Sequence, residues 1–142
     1  MTPDQQARVM AAARSWIGTP FHDNGEVKGA GVDCARLLAL VYWEAGIIER
    51  QVIPTYSPQW MLHRDEPLFE SYVRRFAHQV EKPAIGDIVL YRVGRSFAHG
   101  AIVSSPWPGT VIHAFKSYRR VCETPWDDAD MRRRETRFFT VG

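Results

Sequence analysis

Gly31-Val32-Asp33-Cys34-Ala35-Arg36-Leu37-Leu38 is the stretch on which the reading of this chain turns. A glycine-punctuated loop gives way to an apolar run at helical spacing, and the short acidic Asp33 at the boundary suits an N-cap, which puts Cys34 in the first turn. The orphan N–H groups and partial positive charge of a helix N-terminus favour thiolate over thiol, and thiolate is the nucleophilic form. Cys34 is therefore a candidate nucleophile. The helix is expected over about 33–45, with Leu37, Leu38, Val41, Trp43 and Ala45 on or near its buried side and Gly46 at its end.

Upstream, Thr2-Pro3-Asp4 supplies a capping hydroxyl, a proline at the first helical position and an early acid, and Val9, Ala12, Ala13 and Trp16 recur at helical spacing until Gly18. The span 19–31 holds Pro20, Gly25, Gly29 and Gly31 and reads as a loop across the entrance to the second helix. Downstream, Pro54, Pro58 and Pro67 interrupt the chain, and Leu68, Phe69, Tyr72, Val73 and Phe76 predict a third helix to about 78. The period then changes. Segments 87–93, 98–104, 110–115, 118–123 and 136–141 are short, rich in β-branched and aromatic residues, and bounded by turn residues such as Ser105-Pro106-Trp107-Pro108-Gly109. Helices followed by strands predict an α+β fold, with N-terminal helices packed on a C-terminal meandering antiparallel sheet. No repeat or linker divides the chain, so residues 1–142 are expected to form a single domain.

Two histidines fall on strand-like segments, His99 in Ala98-His99-Gly100-Ala101-Ile102-Val103 and His113 in Val111-Ile112-His113-Ala114. Alternate strand residues share a face, so each imidazole rides an otherwise apolar one. If the turn through 106–109 pairs the two strands, those faces coincide and are expected to pack against the helix that Cys34 begins. The arrangement offers a nucleophile, a base in His99 and an orienting partner in His113. An adjacent imidazolium would help depress the thiol pKa and later protonate a leaving amine, while the Cys34 N–H would meet an oxyanion.

Other uses of these side chains compete. A buried cysteine commonly serves as a small hydrophobe. Metal sites usually announce themselves as close pairs of ligands, whereas here the Cys and His residues are scattered singly, so neither a metal nor any other cofactor is expected. His22, His63 and His78 read as surface residues, with His22 placed to line the cleft. Cys122 follows both histidines, the order of a permuted relative acting on lipids or acyl groups, but its strand context lacks a helix start to activate it.

Composition narrows the field further. With 18 basic and 16 acidic residues and a net charge of +2, no overall field calls for a nucleic-acid partner. Arg132-Arg133-Arg134, with Arg137 nearby, is the one dense basic cluster and reads as solvated surface or a protein-docking patch. No run of about 18 apolar residues predicts membrane insertion, and the start of the chain lacks the pattern of a classical export signal. Two cysteines are too few for a disulfide framework, and a Cys34–Cys122 bridge would consume the best-placed thiol.

Taken together, Gly18-Thr19-Pro20-Phe21, Asp33-Cys34, Pro83-Ala84-Ile85-Gly86-Asp87-Ile88-Val89-Leu90-Tyr91 and the two histidine segments resemble, in order and spacing, the NlpC/P60 cysteine peptidases. That family is a papain-like α+β group that cleaves peptidoglycan stem peptides, commonly between γ-D-glutamyl and diaminopimelyl residues. The resemblance implies Cys34 as nucleophile, His99 as base and His113 as third polar member, with Asp33, Ala35, Phe21 and His22 toward the substrate. Asp33 would face a free amine of the substrate, in tension with pure capping.

The wording of Val27-Lys28-Gly29-Ala30-Gly31-Val32-Asp33-Cys34 is similar to the branch encoded with phage tails and gene transfer agents. It implies a virion component at the tail tip, partnered by tail hub or baseplate proteins, made in the host cytoplasm and acting at the cell wall or periplasm to aid DNA entry. The alternative is a structural tail protein of weak or no activity that keeps the peptidase fold for docking. Three departures bear on substrate preference: Ala35-Arg36 where many members have Ser-Gly, Phe21 where many have tyrosine, and His99-Gly100-Ala101-Ile102 where many have His-Val-Gly-Ile.

Overall fold

The computed structural model describes residues 1–55 and 68–142, so the expectations for Pro58, His63 and Pro67 fall outside the described residues. Helix α1 is Pro3–Ser15. Its cap is reciprocal: Thr2 Oγ1 accepts from Gln5 N–H at 3.1 Å, and the Gln5 side-chain oxygen accepts from Thr2 N–H at 2.9 Å. Helix α2, Cys34–Glu44, begins where Asp33 predicts and is buried along nearly its whole length, with Leu37, Leu38, Val41 and Tyr42 sealed from solvent. Trp43 departs from expectation. It turns outward, with the Arg50 guanidinium carbon 4.9 Å from its ring centre.

The third helix, α3, is only Leu68–Val73, and the chain that the periodicity carries on to 78 instead enters a strand. Two elements interrupt the span read as loop: β1 (Glu26–Val27) and β2 (Gly31–Val32) form a small antiparallel hairpin before Asp33. The main sheet follows as β3 (Ala77–Val80), β4 (Ile88–Val93), β5 (Ser96–Val103), β6 (Thr110–Phe115), β7 (Arg120–Pro125) and β8 (Thr136–Val141). Its order is β3-β8-β4-β5-β6-β7, antiparallel throughout. The meander holds from β4 to β7, and β8 then returns to lie between β3 and β4. Pairing with β8 from Ala77↔Val141 to Val80↔Phe138 is what makes 77–80 a strand, a non-local gain that overrides local helical spacing.

Strand alternation divides the sheet's residues between two apolar layers. Ile88, Leu90, Ile102, Ile112 and Ala114 join the helices in one layer, while Val89, Tyr91, Ala101, Val103, Val111 and Phe115 form the other with Met131 and the half-buried Trp107, Trp126 and Phe138. His99 and His113 belong by alternation to this second face. The turn at 106–109 does pair β5 with β6, through Ile102↔Ile112 and Val103↔Val111. The expectation that the histidine faces pack against α2 is nevertheless corrected: α2 lies on the opposite face, close over Gly100. A Cβ built at Gly100 would stand 2.8 Å from Leu38 Cδ1 and 3.1 Å from both Leu90 and Phe69, so this closely approached position needs glycine.

Candidate active site

Asp33 ends the β2 extension and caps α2: its Oδ1 accepts from Arg36 N–H at 2.9 Å. Its Oδ2 accepts from Asn24 N–H at 2.7 Å and from Arg36 Nη1 at 2.9 Å. The Arg36 guanidinium also donates to the Ile53 carbonyl at 2.7 Å, the Pro54 carbonyl at 3.1 Å and Glu26 at 3.3 Å. The Arg36 guanidinium thus pins the start of α2 to β1 and to the segment at Ile53–Pro54. Asp33 lines the cleft while its oxygens accept the cap and the ion pair, so capping and a place at the cleft coexist.

Cys34 meets β5 at an irregularity. Tyr91 pairs with His99 and Arg92 with Phe97, which leaves Ala98 as the extra residue of a bulge, and the Cys34 thiol donates to the Ala98 carbonyl at 3.9 Å. A cleft of about 220 Å³ opens over this point. Cys34, Ala98 and His99 lie along it with Phe21 and Asp23 from the incoming loop, Lys116 and Ser117 from a short 3-10 turn, and Asp130, Met131 and Arg134 from the segment before β8. The loop keeps its place by donating Phe21 N–H to Arg119 O at 2.8 Å and His22 N–H to Val32 O at 3.1 Å.

Behind His99 runs a chain of polar atoms. His99 Nε2 lies 2.8 Å from His113 Nδ1, His113 Nε2 lies 2.9 Å from Thr124 Oγ1, and that hydroxyl donates to the Pro125 carbonyl at 3.0 Å. Phe115 stacks on His113 with ring centres 4.5 Å apart, and Tyr91 stands 5.8 Å from His99. This apolar casing sets the electrostatics. Burial pushes His99 well below the ordinary imidazole range, helped by the neighbouring His113 and Arg134, and burial brings His113 down to about 4.

Burial, with the Asp33 charge beside it, pushes the Cys34 thiol up to about 12 against the opposing N–H groups of Gly100, Ala35 and Cys34 itself. Burial thus works against the expected thiolate–imidazolium pair, raising the thiol and lowering the imidazole, while the N–H groups at the helix start work for it.

Of the residues expected to face the substrate, Phe21 and Asp33 line the cleft. Ala35 sits buried in the helix-side core and is not among the lining residues, while His22 is exposed and lines a neighbouring shallow groove with Lys116 and Arg119. Cys122 is a free thiol facing the second apolar layer, and Cys34 is likewise unbridged. Among the described residues, no three His, Cys, Asp or Glu side chains gather as a metal site, and no helix is long and apolar enough to cross a membrane. The basic cluster disperses: Arg137 pairs with Glu70 at 2.7 Å, Arg132 and Arg133 are exposed, and Arg134 reaches the cleft.

Sequence reading missed Asp23, Lys116, Ser117, Asp130 and Arg134 at the rim, and Thr124 behind His113. The Thr124 signal lay in its strand, but the expected boundary at 123 stopped one residue short.

No protein-family model matches the sequence, and no curated protein is similar to it at sequence level. Solved structures do match. The NlpC/p60 domain of the peptidoglycan hydrolase SagA is 21% identical, over 96% of this chain and 97% of that one, with a TM-score of 0.62. A lipoprotein-like NLP/P60 family protein from Staphylococcus aureus is 16% identical, over 96% of this chain and 42% of that one, with a TM-score of 0.67. The peptidoglycan hydrolase RipB from Mycobacterium tuberculosis is 19% identical, over 96% of this chain and 63% of that one, with a TM-score of 0.57. The chain thus spans the whole SagA domain but less than two thirds of the other two proteins. Helices on one face of a six-stranded antiparallel sheet give this chain the fold of the NlpC/P60 domains.

Proposed function

We propose that this chain is a cysteine peptidase domain that hydrolyses amide bonds in peptidoglycan stem peptides, with Cys34 as nucleophile, His99 as base and His113 as the residue that orients it. The observation that carries the reading is the shared cleft of Cys34 and His99, with His113 bonded behind, in a fold otherwise seen in peptidoglycan hydrolases.

From neutral partners, the reaction starts with proton transfer from the Cys34 sulfur to His99 as sulfur attacks the scissile carbonyl carbon. Backbone N–H groups at the start of α2 receive the oxyanion. Collapse breaks the C–N bond, the imidazolium protonates the leaving amine, and water then hydrolyses the thioester with His99 again as base. Burial supplies the desolvated setting in which these dipoles act strongly, and substrate contact supplies the drive for the proton transfer.

The finer reading places the cut between γ-D-glutamyl and diaminopimelyl residues and the protein at the tip of a phage-like tail, beside hub or baseplate proteins, acting at the cell wall. Its support is the resemblance to the NlpC/P60 peptidases for the bond and the wording of 27–34 around the cysteine for the tail. A second reading, a structural tail protein of little activity, draws on one observation: the thiol's hydrogen bond goes to the Ala98 carbonyl, in a setting whose burial raises its pKa.

Mass spectrometry of muropeptides after incubation with wild type and Cys34→Ala separates the two. Cleavage that vanishes in the variant supports the peptidase, and the bond cut identifies the substrate. Absence of Cys34-dependent cleavage at any stem-peptide bond removes the enzyme reading, and unchanged particle assembly with Cys34→Ala then fits the structural one.

A further inference from the structure

We infer that Thr124 is a positioning residue that sets the direction of the hydrogen-bond chain through both histidines and so leaves His99 able to accept the thiol proton. The inference rests on the peptidase reading above for its catalytic meaning, but its structural content stands on the hydrogen bonds and the burial of His113.

A threonine hydroxyl has one proton to give. The Thr124 oxygen lies 2.9 Å from His113 Nε2 and 3.0 Å from the Pro125 carbonyl oxygen. The Pro125 carbonyl accepts from the Asp128 N–H at 3.2 Å and also from the Thr124 hydroxyl, and with its proton given there the Thr124 oxygen is left to accept from His113. His113, buried and neutral, then carries its proton on Nε2 and presents a bare Nδ1. The nitrogen 2.8 Å from that lone pair is His99 Nε2, which must therefore carry the His99 proton. Nδ1 of His99 is left unprotonated, and this is the nitrogen not engaged by His113.

Reversed, the chain fails. Were Thr124 to donate to His113 Nε2, the proton of His113 would sit on Nδ1 and point at His99 Nε2, forcing the His99 proton onto Nδ1. Such a ring has no free site for the proton of Cys34. The choice between the two tautomer sets is made by a side chain that is buried, does not line the cleft and lies two strands from the thiol's contact on β5.

The test is ¹⁵N NMR of histidine-labelled wild type, Thr124→Val and Thr124→Ser, beside steady-state cleavage of muropeptides. Wild type is expected to carry Nε2–H on both His99 and His113. Thr124→Val, close in shape but without the hydroxyl, should weaken that preference by about fivefold, the equilibrium worth of one hydrogen bond. Its kcat should fall with the fraction of ring in the wrong tautomer while KM stays unchanged, and Thr124→Ser should restore both. Nδ1–H on His113 in wild type overturns the inference whether or not any variant folds. So does an unshifted tautomer balance in Thr124→Val, or failure of Thr124→Ser to restore it. The spectra need no substrate, so a wild type that cuts no muropeptide would end the peptidase reading and leave the tautomer result intact.

Discussion

The Arg36 guanidinium reaches back along α2 to the Asp33 carboxylate, Nη1 to Oδ2 at 2.9 Å, with both side chains all but sealed from water. Both groups have further partners, the cap on one side and the Ile53 and Pro54 carbonyls on the other, so the ion pair is the hub of a network beside Cys34. Removing either member leaves the other's charge buried without its main counterion.

Arg36→Met should therefore destabilise the protein by about 3–5 kcal/mol, the usual cost of breaking a buried pair. Urea denaturation measures it. Adding Asp33→Asn to the variant should recover part of the loss by removing the stranded charge. A loss below about 1 kcal/mol would show that the guanidinium does not balance Asp33.

The thiol pushed up to about 12 makes a kinetic prediction. Alkylation of Cys34 by iodoacetamide, followed by mass spectrometry, should be slow at neutral pH and climb steadily through pH 9, since only thiolate reacts. A rate already level near pH 6 would mean a preformed thiolate–imidazolium pair.

Stability should fall as the solution is acidified from about pH 6.5. His113 stays neutral in the fold down to about 4, whereas in the unfolded chain it takes a proton near the ordinary value of 6.5. Between those values the unfolded state binds more protons, so the contribution is complete above pH 6.5 and is lost as pH falls toward 4. The shift corresponds to about 3 kcal/mol from His113 alone, and His99 acts in the same direction. Denaturation midpoints measured between pH 7.5 and 4.5 test this, and His113→Gln should flatten the slope.

Gly100→Val should cost about 1–3 kcal/mol, because the added side chain meets Leu38, Leu90 and Phe69 in the layer between sheet and α2. Thermal denaturation checks it. A neutral outcome would mean that α2 can shift away from β5.

Much of the fold can be read before any coordinates are seen, and the reasons lie in particular residues. Thr2, Pro3 and Asp33 start helices through bonds made within a few residues, so α1 and α2 begin where their caps stand. The strands through His99 and His113 follow from β-branched runs ended by the Pro106–Gly109 turn. Tyr72 and Phe76 mislead, because their spacing is helical while the following 77–80 segment gains more by pairing with β8, more than fifty residues later. Of the candidate site, Cys34 is found from local sequence context and Phe21 through the family resemblance, whereas Arg134 and Lys116 arrive from segments that show nothing but surface charge.

The amino-acid order alone settled the properties that depend on near neighbours: which residues cap a helix, which segments are extended, and that one thiol opens a helix. Folding in three dimensions decided which sheet face carries the imidazoles, where β8 inserts, which hydroxyl ends the histidine chain, and that burial opposes charge on thiol and imidazoles. Those outcomes depend on how much water distant segments exclude from one another, and desolvation of a charge is a sum over everything packed around it.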